Sequence, residues 1–286
     1  MFKRKILSKL EAWKQDERHK PLILRGARQV GKTTVVNEFG SQFDNYLYFN
    51  LEISESVRLF EMDIPLNDLV NMLFASLGKS QKEGSTLIFI DEIQNSPKTI
   101  ALLRYFYEQR PDLYVIAAGS LLENLVDVNV SFPVGRVMYL ALRPCSFYEF
   151  LGAIGKNNLL TILSQKAEYS IAFHEQLMHQ FNQYTIIGGM PEAVQHYAET
   201  QDIIAIEAVY ETLVQAYKDD SEKYARSNKL TDVVRFILSY GWAFSGETIT
   251  LGNFANSGYK SREVGEAFRL LEKAMILELV YPDRKS

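Results

Sequence analysis

One cysteine in 286 residues, Cys145, leaves no internal disulfide and too few thiols for a zinc cluster. A reducing compartment is therefore expected, with Cys145 a small core residue. No run approaches the ~20 apolar residues that cross a bilayer, and residues 1–20 are too charged and too broken for a secretory signal. Neither sign of charge dominates: 31 Lys+Arg against 35 Asp+Glu give a net charge of −4. A global basic field that holds nucleic acid without sequence preference is thereby excluded. The four histidines, His19, His174, His179 and His196, make no metal-ligand pattern with the cysteine. His174 and His179, five apart in a helical stretch, would share a face poorly. Apolar residues, by contrast, are plentiful: 47% hydrophobic and 12% aromatic against 23% charged, enough to offset chain entropy and exclude a wholly disordered chain. The expectation is a soluble, cytoplasmic, globular protein with no membrane partner, long enough for two packed units.

Phe2, Ile6, Leu7, Leu10 and Trp13 fall at helical spacing and predict an opening amphipathic helix, ended by Pro21. Leu22-Ile23-Leu24, a glycine-containing loop and the amphipathic stretch Lys32–Phe39 read as strand, loop and helix. Further short apolar runs at Tyr46–Leu51, Leu87–Ile90, Leu113–Ala118 and Val137–Leu142 alternate with helical patterns at Leu66–Leu77 and Thr99–Gln109. Strands separated by helices predict an α/β fold with a parallel sheet covered on both faces.

After Arg143-Pro144 long helical patterns take over: Ser146–Leu151, Ala172–Tyr184, Pro191–Tyr197, Ile203–Lys218 and Leu230–Tyr240. Lys218–Lys223, a run of charged residues after a long helix, reads as a solvated hinge. The last stretch, a helix at Leu230–Tyr240, a short helix at Leu251–Asn256, a helix at Ser261–Met275 and an apolar run at Ile276–Tyr281, has the order of a winged-helix module. The predicted division is residues 1–143, 144–227 and 228–286. The final run stops where a winged helix would complete a hairpin, so a longer polypeptide is expected.

Gly26-Ala27-Arg28-Gln29-Val30-Gly31-Lys32-Thr33 fits G-x-x-x-x-G-K-[ST] between a predicted strand and a predicted helix. Gly26 and Gly31 permit backbone conformations and close approach that a Cβ would block, so successive N–H groups can curl around phosphate oxygens at a helix N-terminus. Lys32 would reach the β- and γ-phosphates and the Thr33 hydroxyl would ligate Mg²⁺, with Thr34 completing the nucleotide-binding set. Arg28 could contact phosphate or an acidic neighbour. Leu87–Glu92 is a buried strand ending in two acids: Asp91 to hold Mg²⁺, and Glu92, aimed differently, to polarise an attacking water. Ser120, after Tyr114–Ala118 and Gly119, is a candidate γ-phosphate sensor; with Glu123 it also fits a capping box. Arg136, just before the fifth strand, is a candidate finger toward a neighbouring subunit's γ-phosphate.

These segments, together with Gly135-Arg136, Ser146-Phe147, Glu149-Phe150 and Gly188-Gly189-Met190-Pro191, resemble the prokaryotic AAA+-type ATPases that carry a DUF4143 region, close to STAND-like ATPases. The resemblance implies a P-loop NTPase sheet of order 5-1-4-3-2, a helical lid and a winged helix. It also implies ATP and Mg²⁺ as ligands, slow hydrolysis to ADP and phosphate, and Pro191 with Gly189 near base or phosphates. Pro191 equally suits the first turn of a helix. ATP over GTP rests on the resemblance; no Asn-Lys-x-Asp guanine-reading segment occurs. Relatives of this kind often continue into a nuclease-like domain, and none is assigned here. Two other readings stay open: a winged-helix regulator with ATP as a structural ligand, and a nucleotide switch that signals through assembly. On the candidate recognition helix Lys260, Arg262, Arg269 and Lys273 interleave with Glu263, Glu266 and Glu272, a mixed face that suits a protein partner at least as well as DNA. A homo-oligomer would give Arg136 its partner.

Overall fold

The computed structural model describes residues 2–119, 133, 135–165, 171–225 and 227–281. Ser120 lies outside the described residues. Two units are distinguished, Met1–Gln201 and Asp202–Ser286.

In the first unit five short apolar segments become strands: β1 (Leu22–Arg25), β2 (Asn45–Asn50), β3 (Thr86–Asp91), β4 (Leu113–Gly119) and β5 (Met138–Ala141). All pairings are parallel, in the order β2-β3-β4-β1-β5, which is the expected 5-1-4-3-2 sheet read from the other edge. Parallel neighbours require crossovers, and α2 (Lys32–Gly40), α3 (Ser54–Phe60), α4 (Leu66–Ser76) and α5 (Pro97–Gln109) supply them. Alternate residues divide between the two faces. Ile23, Leu47, Phe49, Ile88, Ile90, Val115 and Ala117 pack with Phe60, Leu69, Leu73, Ile100, Leu103 and Phe106 from α3, α4 and α5. On the other face Tyr114 meets Trp13 from α1 (Ile6–Lys14), Phe43 just past α2, and His19 stacked at 4.0 Å. His19 is thus a packed core-edge ring, the reading its lack of metal partners favoured.

The central strands β3 and β4 are buried nearly throughout, whereas β5 at the edge leaves Met138 and Tyr139 exposed. Burial on both faces, expected of every strand, therefore fails at that edge, where no further strand covers it among the described residues. Beyond β5 lie α6 (Phe147–Ala153), α7 (Asn157–Leu163), α8 (His174–Ile187) and α9 (Pro191–Thr200). They close on Leu151, Leu159 and Leu177 and on the rings of Phe147, Phe150, Tyr184 and Tyr197. Cys145 is buried, and burial pushes its thiol up to about 12, the behaviour of an inert core cysteine.

The second unit holds α10 (Glu207–Tyr224), α11 (Asn228–Tyr240) and α12 (Ser261–Lys273), with α11 packed against both others. Val264, Ala267, Phe268 and Leu271 form the buried stripe of α12. Lys218–Lys223, expected as a hinge, is instead the last part of α10. Its inner side is covered by Arg235 of α11, whose Nε donates to Ser221 Oγ at 3.1 Å and Nη2 to Glu222 Oε1 at 2.8 Å. The short helix expected at Leu251–Asn256 shrinks to one 3₁₀ turn, Phe254–Asn256, flanked by left-handed Asn253. Ile276–Tyr281 forms no strand; the Leu279 N–H donates to Glu272 Oε1 at 2.9 Å.

Candidate functional site

In a parallel sheet every strand delivers its following loop to one edge, and ligands bind outside those carboxyl ends where the strand order reverses. Here β1 lies between β4 and β5, and the loop Gly26–Gly31 leaves β1 at that edge. Gly26 passes under the chain that follows β5: a Cβ on it would stand 2.3 Å from the Leu142 carbonyl oxygen. Gly31 has φ +88°, a left-handed backbone that glycine adopts at no steric cost, and it opens α2. Gln29, at φ 63°, is also left-handed and is exposed; Arg28 is half-buried, and Thr34 is exposed one residue beyond Thr33. Ala27, Val30 and Lys32 are buried. Lys32 folds back over the loop, donating from Nζ to the carbonyls of Gly26 and Ala27 at 2.9 Å each. Burial pushes its ammonium down, a shift opposed by Glu92 and Asp91 and reinforced by Arg28.

The structure brings Thr33, Asp91 and Glu92 to this cradle. Thr33 Oγ1 donates to Asp91 Oδ2 at 2.6 Å, joining the first turn of α2 to the end of β3. Glu92, one residue on, takes a left-handed backbone with φ 54°, which turns its side chain away from that of Asp91. Its N–H donates to Asp91 Oδ1 at 3.1 Å, and its carboxylate accepts from the Gln94 amide. Burial pushes both carboxyls up; the Thr33 hydroxyl opposes this most at Asp91, and Gln94 does so at Glu92. Two desolvated acids beside a hydroxyl form a hard oxygen set that a divalent cation would relieve of its electrostatic cost. Among the described residues no group of three or more His, Cys, Asp or Glu could hold a metal ion. Mg²⁺ keeps most of its waters and takes few protein ligands. Thr33 and Asp91 fit it, and the loop amides with Lys32 fit the phosphates.

Pro191 reaches the same place: a Cβ on Gly31 would lie 3.8 Å from Pro191 Cγ, and Pro191 is also the first residue of α9. Both roles foreseen for it are therefore compatible. The turn before it is tight. Cys145 N–H donates to the Gly189 carbonyl at 2.6 Å, and a Cβ on Gly189 would meet the Cys145 oxygen at 2.4 Å.

Arg136 does not join this cluster within its own chain. It precedes β5, whose first residue pairs with Leu22 at the start of β1, so it sits at the opposite edge of the sheet. There its Nε donates to Glu108 Oε1 at 2.6 Å.

Three residues enter unannounced by any motif. Tyr48 on β2 lies close enough to Asp91 and Glu92 to feel their charges, and burial first, then those charges, push its phenol up. Glu52 adds to the upward push on both Asp91 and Glu92; its place just past the end of β2 is the same positional signal that marks Asp91. Arg4, 6% exposed, donates to the Val30 carbonyl at 3.0 Å; from sequence it is one more basic residue of an amphipathic helix.

Glu92's raised value gives a stability prediction. Above the ordinary 4.5 the unfolded chain releases this proton before the folded one does. The stabilisation from the neutral form is therefore complete below pH 4.5 and lost as pH rises through the folded value. Without nucleotide or Mg²⁺, Glu92→Gln is expected to melt above wild type at pH 8, with the difference vanishing below pH 4.5. A gap independent of pH in thermal melts would contradict the burial argument.

A parallel sheet with a glycine-bounded loop after its first strand and an acidic pair at the end of its third is the architecture of P-loop NTPases. Residues 18–151 match the family model described as an AAA domain, so this part is an AAA-type, P-loop ATPase-like domain. Residues 178–286 match a domain of unknown function, DUF8612, in place of the DUF4143 region suggested by the motifs. Among solved structures the fold is similar to that of a Walker-type ATPase of Pyrococcus abyssi, at 16% identity over 96% of this chain and 90% of that one, with a TM-score of 0.54. More distant likenesses are to PCH-2 of C. elegans, 14% identical over 73% of this chain and 68% of that one (TM-score 0.39), and to Drosophila ORC bound to DNA, 12% identical over 96% and 81% (TM-score 0.40). No curated protein matches the sequence. No helix among the described residues is long and apolar enough to cross a membrane.

Proposed function

We propose that the chain is a Mg²⁺-dependent ATPase, hydrolysing ATP to ADP and phosphate slowly, whose nucleotide state rearranges the helical lid and the C-terminal helical region. The observation that carries this reading is the 2.6 Å contact between Thr33 and Asp91 beside the Lys32-lined cradle. Bound Mg²⁺ would supply charge neutralisation between the β- and γ-phosphates. Thr33 and Asp91 would hold it, Lys32 would swing from the loop carbonyls to the phosphates, and Glu92 would accept the proton of the attacking water. Ser120 is retained as the γ-phosphate sensor. Slow turnover is supported by the resting contacts: Lys32 bonded to its own loop and Glu92 held by Gln94. Those contacts also favour a second reading, a switch that holds nucleotide and signals through assembly.

Arg136, at the sheet edge away from its own cradle, would serve a neighbouring copy in a homo-oligomer. Three functional parts, residues 1–143, 144–227 and 228–286, remain our proposed division, the last a winged-helix-like module that docks a protein partner or DNA. The test is phosphate release against chain concentration, with Mg²⁺ or a chelator and with or without duplex DNA. Magnesium-dependent release per chain should rise with concentration, and Arg136→Ala should lose that rise, roughly tenfold in rate. A rate per chain that is flat with concentration removes the role in trans; stimulation by DNA that weakens steeply with salt identifies the partner as nucleic acid. No phosphate release under any condition contradicts the enzyme reading.

A further inference from the structure

Arg4 is a buried cation outside every recognisable motif, and all three nitrogens of its guanidinium are engaged. Nη1 donates to the Val30 carbonyl at 3.0 Å, Nη2 to the Arg143 carbonyl at 2.7 Å, and Nε to Glu149 Oε1 at 2.9 Å. Val30 sits inside the phosphate loop, Arg143 follows β5, and Glu149 belongs to the first turn of α6. In a trans peptide the C=O and the next N–H point in opposite directions. Holding the Val30 carbonyl toward Arg4 therefore turns the Gly31 N–H away from Arg4. Gly31 stands close by: a Cβ on it would be 3.6 Å from Arg4 Nη1.

Glu149 is fixed just as fully. It accepts from the Lys5 N–H at 2.8 Å, the Ser146 N–H at 2.8 Å and Ser146 Oγ at 3.0 Å. Burial pushes its carboxyl up, but the Ser146 and Lys5 amides and Arg4 outweigh burial and hold it below the usual glutamate range. The guanidinium is thus a planar fork whose prongs have three assigned acceptors, a geometry lysine cannot reproduce.

We propose that Arg4 is a positioning residue for phosphate binding. It sets the Val30–Gly31 peptide so that the Gly31 N–H faces the phosphates, and it ties that peptide to the capped start of α6. This rests on the nucleotide-binding reading above.

The test uses the full chain and magnesium ADP, titrated calorimetrically, with circular dichroism and thermal melts as the folding control. Arg4→Met alone strands a buried carboxylate, so it is paired with Glu149→Gln, which removes that charge. The double variant should fold and bind about tenfold more weakly than wild type, with Arg4→Lys in between because one ammonium replaces one of three contacts. Ser146→Ala, which strips the cap of α6, supplies a loss of stability without a loss of affinity. Folded Arg4 variants with wild-type affinity, or a Ser146→Ala loss of affinity equal to theirs, overturn the inference. Wild-type protein that binds no magnesium nucleotide overturns the parent reading and this one together.

Discussion

Lys32→Ala is expected to raise the dissociation constant for magnesium ATP by ~10²-fold or more. The Lys32 ammonium is buried and has two carbonyl acceptors within its own loop. Phosphate oxygens offer it charged acceptors in their place, and charge-assisted hydrogen bonds contribute about 1.5–3 kcal/mol each. Two such bonds account for the expected factor. The variant should remain folded, because the loop keeps its other supports: Leu142 over Gly26, Arg4 on Val30, and the Thr33–Asp91 bond. Nucleotide affinity measured on protein with an unchanged circular dichroism spectrum checks this. An affinity within threefold or so of wild type would remove Lys32 from the phosphate site.

Glu92→Gln should behave in the opposite way, keeping nucleotide while losing turnover by ~10²–10⁴-fold, the usual worth of a positioned general base. The substitution preserves the shape of the side chain and an oxygen for the Gln94 amide. It removes only the capacity to take a proton. Asp91, the proposed cation ligand, is untouched, so affinity for magnesium ATP should hold. The raised value of the Glu92 carboxyl places its protonation nearer neutral pH than that of a solvent-exposed glutamate. The turnover rate of wild type should accordingly fall on acidification through that value, and the residual rate of Glu92→Gln should not. Single-turnover phosphate release across pH separates the two. Undiminished turnover in Glu92→Gln would assign the base elsewhere.

The sheet was legible because buried strands leave apolar runs that survive without any periodicity. Leu22–Leu24, Leu87–Ile90 and Leu113–Ala118 all fall within strands. Helices α3 and α7, seven residues each, were not legible, although α6, of the same length, was; two turns leave the 3.6-residue period little length in which to register. The charge run at Lys218–Lys223 misled because helix faces differ. Asp220 and Ser221 are buried while neighbouring positions are not, and only the tertiary placement of Arg235 reveals it. Ile276–Tyr281 misled for the converse reason: its composition suits a strand, but a strand needs a partner's hydrogen bonds, and none of the described residues pairs with it.

At the site, the residues proposed to touch phosphate or metal announce themselves through spacing. Gly26, Gly31, Lys32, Thr33 and the acids after β3 are local in sequence because one loop and one strand end make the cradle. Residues that act across long separations carry no such signature. Arg4 meets Val30, Arg143 and Glu149 at separations of 26, 139 and 145 residues, and Tyr48 feels the charge of Asp91 from the neighbouring strand. The chain topology brings these together, and spacing alone could not.

The central claim is that the amides of Gly26–Thr33, with Lys32, hold the phosphates of a nucleotide whose metal is shared by Thr33 and Asp91. Calorimetric titration of the wild-type chain with ATP and ADP, with and without Mg²⁺, tests it most directly. Saturable binding that strengthens with Mg²⁺ and loses that strengthening in Asp91→Asn is the predicted result. Flat traces for every magnesium nucleotide would contradict it.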